Sequence, residues 1–139
     1  SALLLATFVG VSALGLWALP SLIERNLLRP YWLLRRHQYA TVVTSGFIHA
    51  DLMHLAFNAF TFFAFAFPLE RRIGPASLAA LYATGLLVSS AGTWLQHRRD
   101  PGYASLGASG AILAVLFASI VYFEGQRSRS VHVSASWEL

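Results

Sequence analysis

The sequence predicts an all-α, polytopic transmembrane helix bundle, and three observations predict it. Of 139 residues, 56% are hydrophobic and only 12% are charged, with a mean hydropathy of +0.56. A soluble domain this short cannot enclose that much apolar surface, so its solvent is lipid. Four apolar runs of spanning length recur along the chain, at about residues 2–19, 50–69, 76–95 and 107–123. Lysine is absent, and the arginines fall in pairs between those runs. At a formal charge of +4 this reads as interfacial anchoring rather than a nucleic-acid patch. Cysteine is also absent, which excludes disulfides and thiolate metal sites and leaves the redox compartment undefined.

The first run, 2–19, reaches the roughly 20 residues that a spanning helix needs, and Pro20 ends it. It is too long for a signal-peptide core and has no basic segment before it. Because numbering begins at Ser1 rather than Met, further residues are expected in front. Residues 21–40 interleave Arg25, Arg29, Arg35 and Arg36 with leucines, Tyr31 and Trp32, a mixture suited to a segment lying in the headgroup region. The second run carries His49, Asp51, His54 and Asn58 at its beginning and closes on Leu69-Glu70-Arg71-Arg72-Ile73-Gly74-Pro75. The third offers Gly85, Ser89 and Gly92 as a close-packing face. A polar loop, 96–106, leads to the fourth, which is expected to stop at Glu124-Gly125. Residues 1–124 thus form the membrane domain and 125–139 a polar tail. Six arginines on one side of the bundle against four on the other weakly place the first loop in the cytoplasm.

Chemistry concentrates at two places. In Leu106-Gly107-Ala108-Ser109-Gly110-Ala111 a serine between glycines opens an apolar helix, where backbone N–H groups lack partners and can stabilise an oxyanion. The glycines permit a sharp turn and close approach of a substrate backbone. The same small residues equally suit close helix packing. On the second helix His54 and Asn58, four apart, share a face and present donors able to hold the negative oxygen of a tetrahedral intermediate. They could instead bond helices together. His49 lies nearer the surface, placed to line water access or to support the loop. Metal binding fits poorly, because histidine spacing of five does not reproduce an i, i+4 pair and no carboxylate completes a site. Asp51 and Glu70 read as interfacial.

Depth ties the two places together. At ~1.5 Å per residue, Ser109 lies about 22 Å from Glu124, while His54 and Asn58 lie about 24 Å and 18 Å from Glu70. Helices two and four run in the same direction, so all three residues occupy one thin layer below a membrane surface. The loop before Ser109 must then dip into the membrane, and the side chains of Ser109, His54 and Asn58 are expected to converge on one cavity.

Three motifs in order, His49-Ala-Asp-Leu-Met-His54-Leu-Ala-Phe-Asn58, Leu69-Glu70-Arg71-Arg72-Ile73-Gly74 and Gly107-Ala108-Ser109-Gly110, resemble the rhomboid family of intramembrane serine proteases. The resemblance covers roughly residues 30–124. It implies a rhomboid-like fold with four spans present of a six-helix core, so the chain is expected to be truncated after the fourth. It implies Ser109 as nucleophile, with its N–H, His54 and Asn58 forming the oxyanion hole. Gly107 matches the first glycine of the serine motif and His49 the supporting histidine. Substrates would be transmembrane segments of membrane proteins, cut without metal or cofactor, in a multi-pass protein of a bacterial or archaeal cytoplasmic membrane.

Two departures accompany it. Ala40-Thr41 stands where the family carries a tryptophan-arginine pair, although Trp32 and Arg35-Arg36 lie nearby. The family's general base is a histidine on the sixth helix, and none of His37, His97 or His132 has a supporting context, so the base has no assignment. Without one a serine hydroxyl is a poor nucleophile, and these 139 residues alone are expected not to cleave. The alternative reading is a catalytically inactive rhomboid-like protein that binds membrane helices; a plain four-helix packing module would need all three motifs to be coincidental.

Overall fold

The computed structural model describes the backbone of residues 1–135 and the side chains of residues 1–127. Its elements are α1 (Ala2–Trp17), α2 (Pro20–Asn26), α3 (Pro30–Leu33), α4 (Thr41–Thr44), a 3₁₀ turn (Ser45–Phe47), α5 (Leu52–Ile73), α6 (Pro75–His97) and α7 (Ser109–Ala135). The fold is an all-α membrane bundle.

Among the described residues, three single helices are long and apolar enough to cross a membrane: α5, α6 and Ser109–Arg127 of α7. Their outward faces carry exposed Phe57, Phe60, Phe63, Leu87, Val88, Phe117 and Val121, the side chains that lipid would cover. The expected first span is broken: α1 and α2 together are long and apolar enough to cross, but as a bent pair. α1 has 16 residues, about 24 Å, which is short of the roughly 30 Å hydrocarbon core. The residue before a proline is driven out of the helical region, here Leu19 at φ −136°, and the chain bends by 118° into α2. Gly15 lets the two helices meet, its missing Cβ lying 3.0 Å from Ile23 Cγ1.

Segment 21–40 is folded into α2 and α3 rather than open, with Pro30 and Leu33 buried against the bundle. Arg36 stacks over Trp32 at 4.0 Å, a tryptophan-arginine contact at a different place from Ala40-Thr41. At the other end, α7 does not stop at Glu124-Gly125. A single glycine costs a helix only about 1 kcal/mol, and the backbone continues helical to Ala135.

The core is a column of edge-on aromatic rings. Phe8 of α1 meets Phe62 of α5 at 5.5 Å, and Phe62 meets Tyr82 of α6 at 5.8 Å, tying three helices together. Above and below them pack Leu55, Leu69, Leu78, Ile112 and Val115. Helices α6 and α7 approach most closely. A Cβ on Gly85 would lie 2.6 Å from Ala114 Cβ, and one on Gly110 would overlap Ser89. Gly85 and Ser89 therefore form the expected packing face, but Gly92 does not, since nothing lies within 4 Å of its missing Cβ. The hydroxyl of Ser1 donates to Glu70, which fixes the start of α1 to the end of α5.

Candidate active site

Ser109 is the first helical residue of α7, and the loop in front of it is held by three separate clamps. Leu28 and Ser105 form an isolated antiparallel bridge, each N–H donating to the other's carbonyl at 3.0 Å. Trp32 Nε1 donates to Pro101 O at 3.2 Å. Gly107 N–H donates to Ser45 O at 2.9 Å, joining the loop to the 3₁₀ turn. The loop's polar backbone is thus paired with protein, the condition for irregular chain at membrane depth. Ala108 is fully buried, and Ser109 itself is exposed on a cavity of about 280 Å³. Its wall is unusually rich in hydroxyls: Ser45, Ser89, Ser90, Thr93, Tyr103 and Ser105.

Gly107 connects this cavity to the histidines. Its φ is +116°, a conformation other residues rarely adopt. A Cβ there would lie 2.5 Å from His54 Cε1 and 2.9 Å from Nε2, so the imidazole rests directly on the glycine. Asp51 sets that position by capping α5: its carboxylate accepts the His54 N–H at 2.7 Å.

Behind His54 stands His49, with the ring centroids 4.9 Å apart and nearly perpendicular. His49 is completely buried, which leaves it no surface with which to line water access, the first of the two roles expected of it. Its Nε2 lies 2.8 Å from Asn58 Nδ2 and its Nδ1 lies 2.9 Å from Ser12 Oγ. An amide NH₂ only donates, so Nε2 accepts and the ring proton sits on Nδ1, directed at Ser12. That hydroxyl also accepts the His49 N–H at 3.1 Å and sends its own proton to Phe47 O at 3.3 Å. Every role in this chain is filled without conflict. Burial first, and then the charge of His54, hold the His49 pKa at about 4, which agrees with a neutral ring. Asn58 keeps a second amide hydrogen that His49 does not use.

The structure therefore brings His49, His54 and Asn58 into one group, His49 and Asn58 buried and His54 half-buried, and sets Gly107 against His54. The cavity beside Ser109 has Gly107 in its wall but neither His54 nor Asn58. No histidine hydrogen-bonds the Ser109 hydroxyl among the described residues. His37 bonds Tyr39 OH at 3.0 Å, and His97 stacks on Tyr103 at 3.5 Å. The His132 side chain lies outside the described residues. Sequence reasoning overlooked Ser12, although a lone hydroxyl on an apolar membrane helix is the same kind of signal that singled out Asn58.

The rhomboid-domain family model matches residues 36–137, well over half of the chain. The chain belongs to the rhomboid family. Among curated proteins, it is similar to "Putative rhomboid protease YdcA" of Bacillus subtilis (strain 168), with 36% identity over 53% of this chain and 36% of that protein. It is also similar to "RHOMBOID-like protein 12, mitochondrial" of Arabidopsis thaliana, with 32% identity over 58% of this chain and 28% of that protein. The chain spans about a third of the length of these rhomboid relatives, and α1, which supplies Ser12, precedes the matched region.

Proposed function

We propose that this chain carries the nucleophile and oxyanion hole of an intramembrane serine endopeptidase that cleaves transmembrane segments of membrane proteins, in a bacterial or archaeal cytoplasmic membrane. The single observation that supports it best is the His54 imidazole seated on Gly107, two residues before a serine at a helix start. In this reading Ser109 Oγ attacks the scissile carbonyl, and its proton passes to a general base that has no assignment here. The carbonyl oxygen becomes negative and takes hydrogen bonds from the Ser109 N–H, His54 and the free amide hydrogen of Asn58. As the tetrahedral intermediate collapses, the base returns that proton to the leaving nitrogen, which departs as the amine and leaves an acyl-serine that water then hydrolyses. His49 acts through Asn58, fixing which way its amide points.

The second reading, an inactive relative that binds membrane helices, has its own support. Ser109 has no basic partner among the described residues, and its cavity does not include the two side-chain donors. In a proteolytically competent form, Asn58→Ala lowers turnover about 10²-fold with little change in substrate binding if the amide stabilises the transition state. Unchanged turnover with a lowered melting temperature would assign Asn58 to packing. Absence of any Ser109-dependent labelling by a fluorophosphonate would favour the second reading.

A further inference from the structure

On the loop side of the bundle, where α6 ends, a second cavity of about 290 Å³ opens between α3 and α6. Arg35, Arg98 and Arg99 line it together with the aromatic rings of Tyr31 and Trp94. Three features make it more than scattered basic residues. None of the three arginines has a carboxylate partner among the described residues; Glu24 is taken by Arg29 at 2.9 Å, and Asp100 accepts from Gly102 N–H at 2.9 Å. Two guanidiniums are pre-oriented over rings, Arg35 over Tyr31 at 4.0 Å and Arg98 over Trp94 at 5.3 Å, and Arg35 is further fixed by donating to Tyr31 O at 2.7 Å. The apolar span of α6 ends at His97, so Arg98 and Arg99 stand at its boundary, the depth of lipid phosphates.

Like charges gathered in one concavity repel each other unless an anion joins them. Guanidiniums are forked donors matched to phosphate oxygens, and the apolar part of the wall suits the upper acyl chain or glycerol of a lipid. We propose that this cavity is a specific site for the phosphate headgroup of an anionic phospholipid, read by Arg35, Arg98 and Arg99. Occupied, it would tie the segment after α3 to the loop that carries Ser109, because Trp32 of α3 already bonds Pro101 of that loop. The site does not depend on proteolytic activity.

The test is lipid retention by the full chain, purified in mild detergent after mixing with phosphatidylglycerol, phosphatidylcholine or inorganic phosphate, and read by native mass spectrometry. Phosphatidylglycerol should be retained in preference to phosphatidylcholine. Each arginine near an anionic headgroup contributes about fivefold, so R35Q/R98Q/R99Q should lower retention by at least about tenfold. The Lys triple variant keeps the charge and loses the fork and the stacking, and should fall between. The pair R71Q/R72Q removes two arginines from the opposite end of the bundle and should leave retention unchanged. Equal loss in that pair, or full retention in the Gln triple with its melting temperature preserved, would overturn the site in favour of diffuse charge. Displacement of the lipid by millimolar inorganic phosphate would overturn the lipid as its occupant.

Discussion

The two sides of Gly107 differ in almost every physical respect. On the side of α1 and α5 lies a buried group in which His49, Ser12 and Asn58 fix one another's proton positions, with one Asn58 amide hydrogen left over. On the side of α6 and α7 lies an open cavity walled by hydroxyls, onto which Ser109 is exposed. The first side has one arrangement, because a buried donor left without an acceptor would lose about 1–3 kcal/mol. The second has room, and hydroxyl groups on several elements face it. Rigid positioning and open access are thus separated by a single residue that has no side chain.

Breaking that separation should have the largest effect. In Gly107→Ala the new methyl collides with His54 and the backbone holds a strained φ. The expected loss is about 3 kcal/mol or more of stability, read as a lower melting temperature in detergent, together with displacement of the His54 ring. A variant as stable as the parent would mean that Gly107 and His54 are not in contact.

A smaller effect sharpens the buried side. Ser12→Ala leaves both the His49 Nδ1–H and the His49 N–H without their acceptor, and should lower stability by about 2 kcal/mol. Nitrogen chemical shifts of the His49 ring report its tautomer directly. In the parent the proton belongs on Nδ1; a proton on Nε2 in the parent would undo the assigned chain from Ser12 to Asn58.

The effect that is smallest near neutrality, and emerges only on acidification, is pH dependence. The folded pKa of His49 is depressed from 6.5 to about 4, so the fold favours the neutral ring. Its contribution is complete above pH 6.5 and is lost progressively as pH falls towards 4. Melting temperature should therefore be flat near neutrality and decline over that acidic window. His49→Gln should lower stability near neutrality and remove this component of the decline, so that its deficit narrows as pH falls.

Local composition carried much of this protein. The apolar runs that became α5, α6 and α7 were legible because a lipid-facing helix must be apolar along its length, and a polar residue there is costly unless it has a partner. That same rule marked His54 and Asn58, and a serine between glycines at the start of an apolar run marked the start of α7. Tertiary structure decided the rest, because partners distant in sequence leave no periodic signal. Ser12 meets His49 across 37 residues, and the bridge between Leu28 and Ser105 holds the serine loop from a segment that reads only as interfacial. The burial of His49 followed from those partners and not from its place near a helix start. Gly85 and Gly92 look alike in the sequence, yet only Gly85 faces α7, since the crossing of two helices brings a limited stretch into contact. Which side of Gly107 the histidines and Ser109 occupy is likewise a property of the assembled bundle, set by a left-handed backbone angle and by the imidazole that fills the space of its absent side chain.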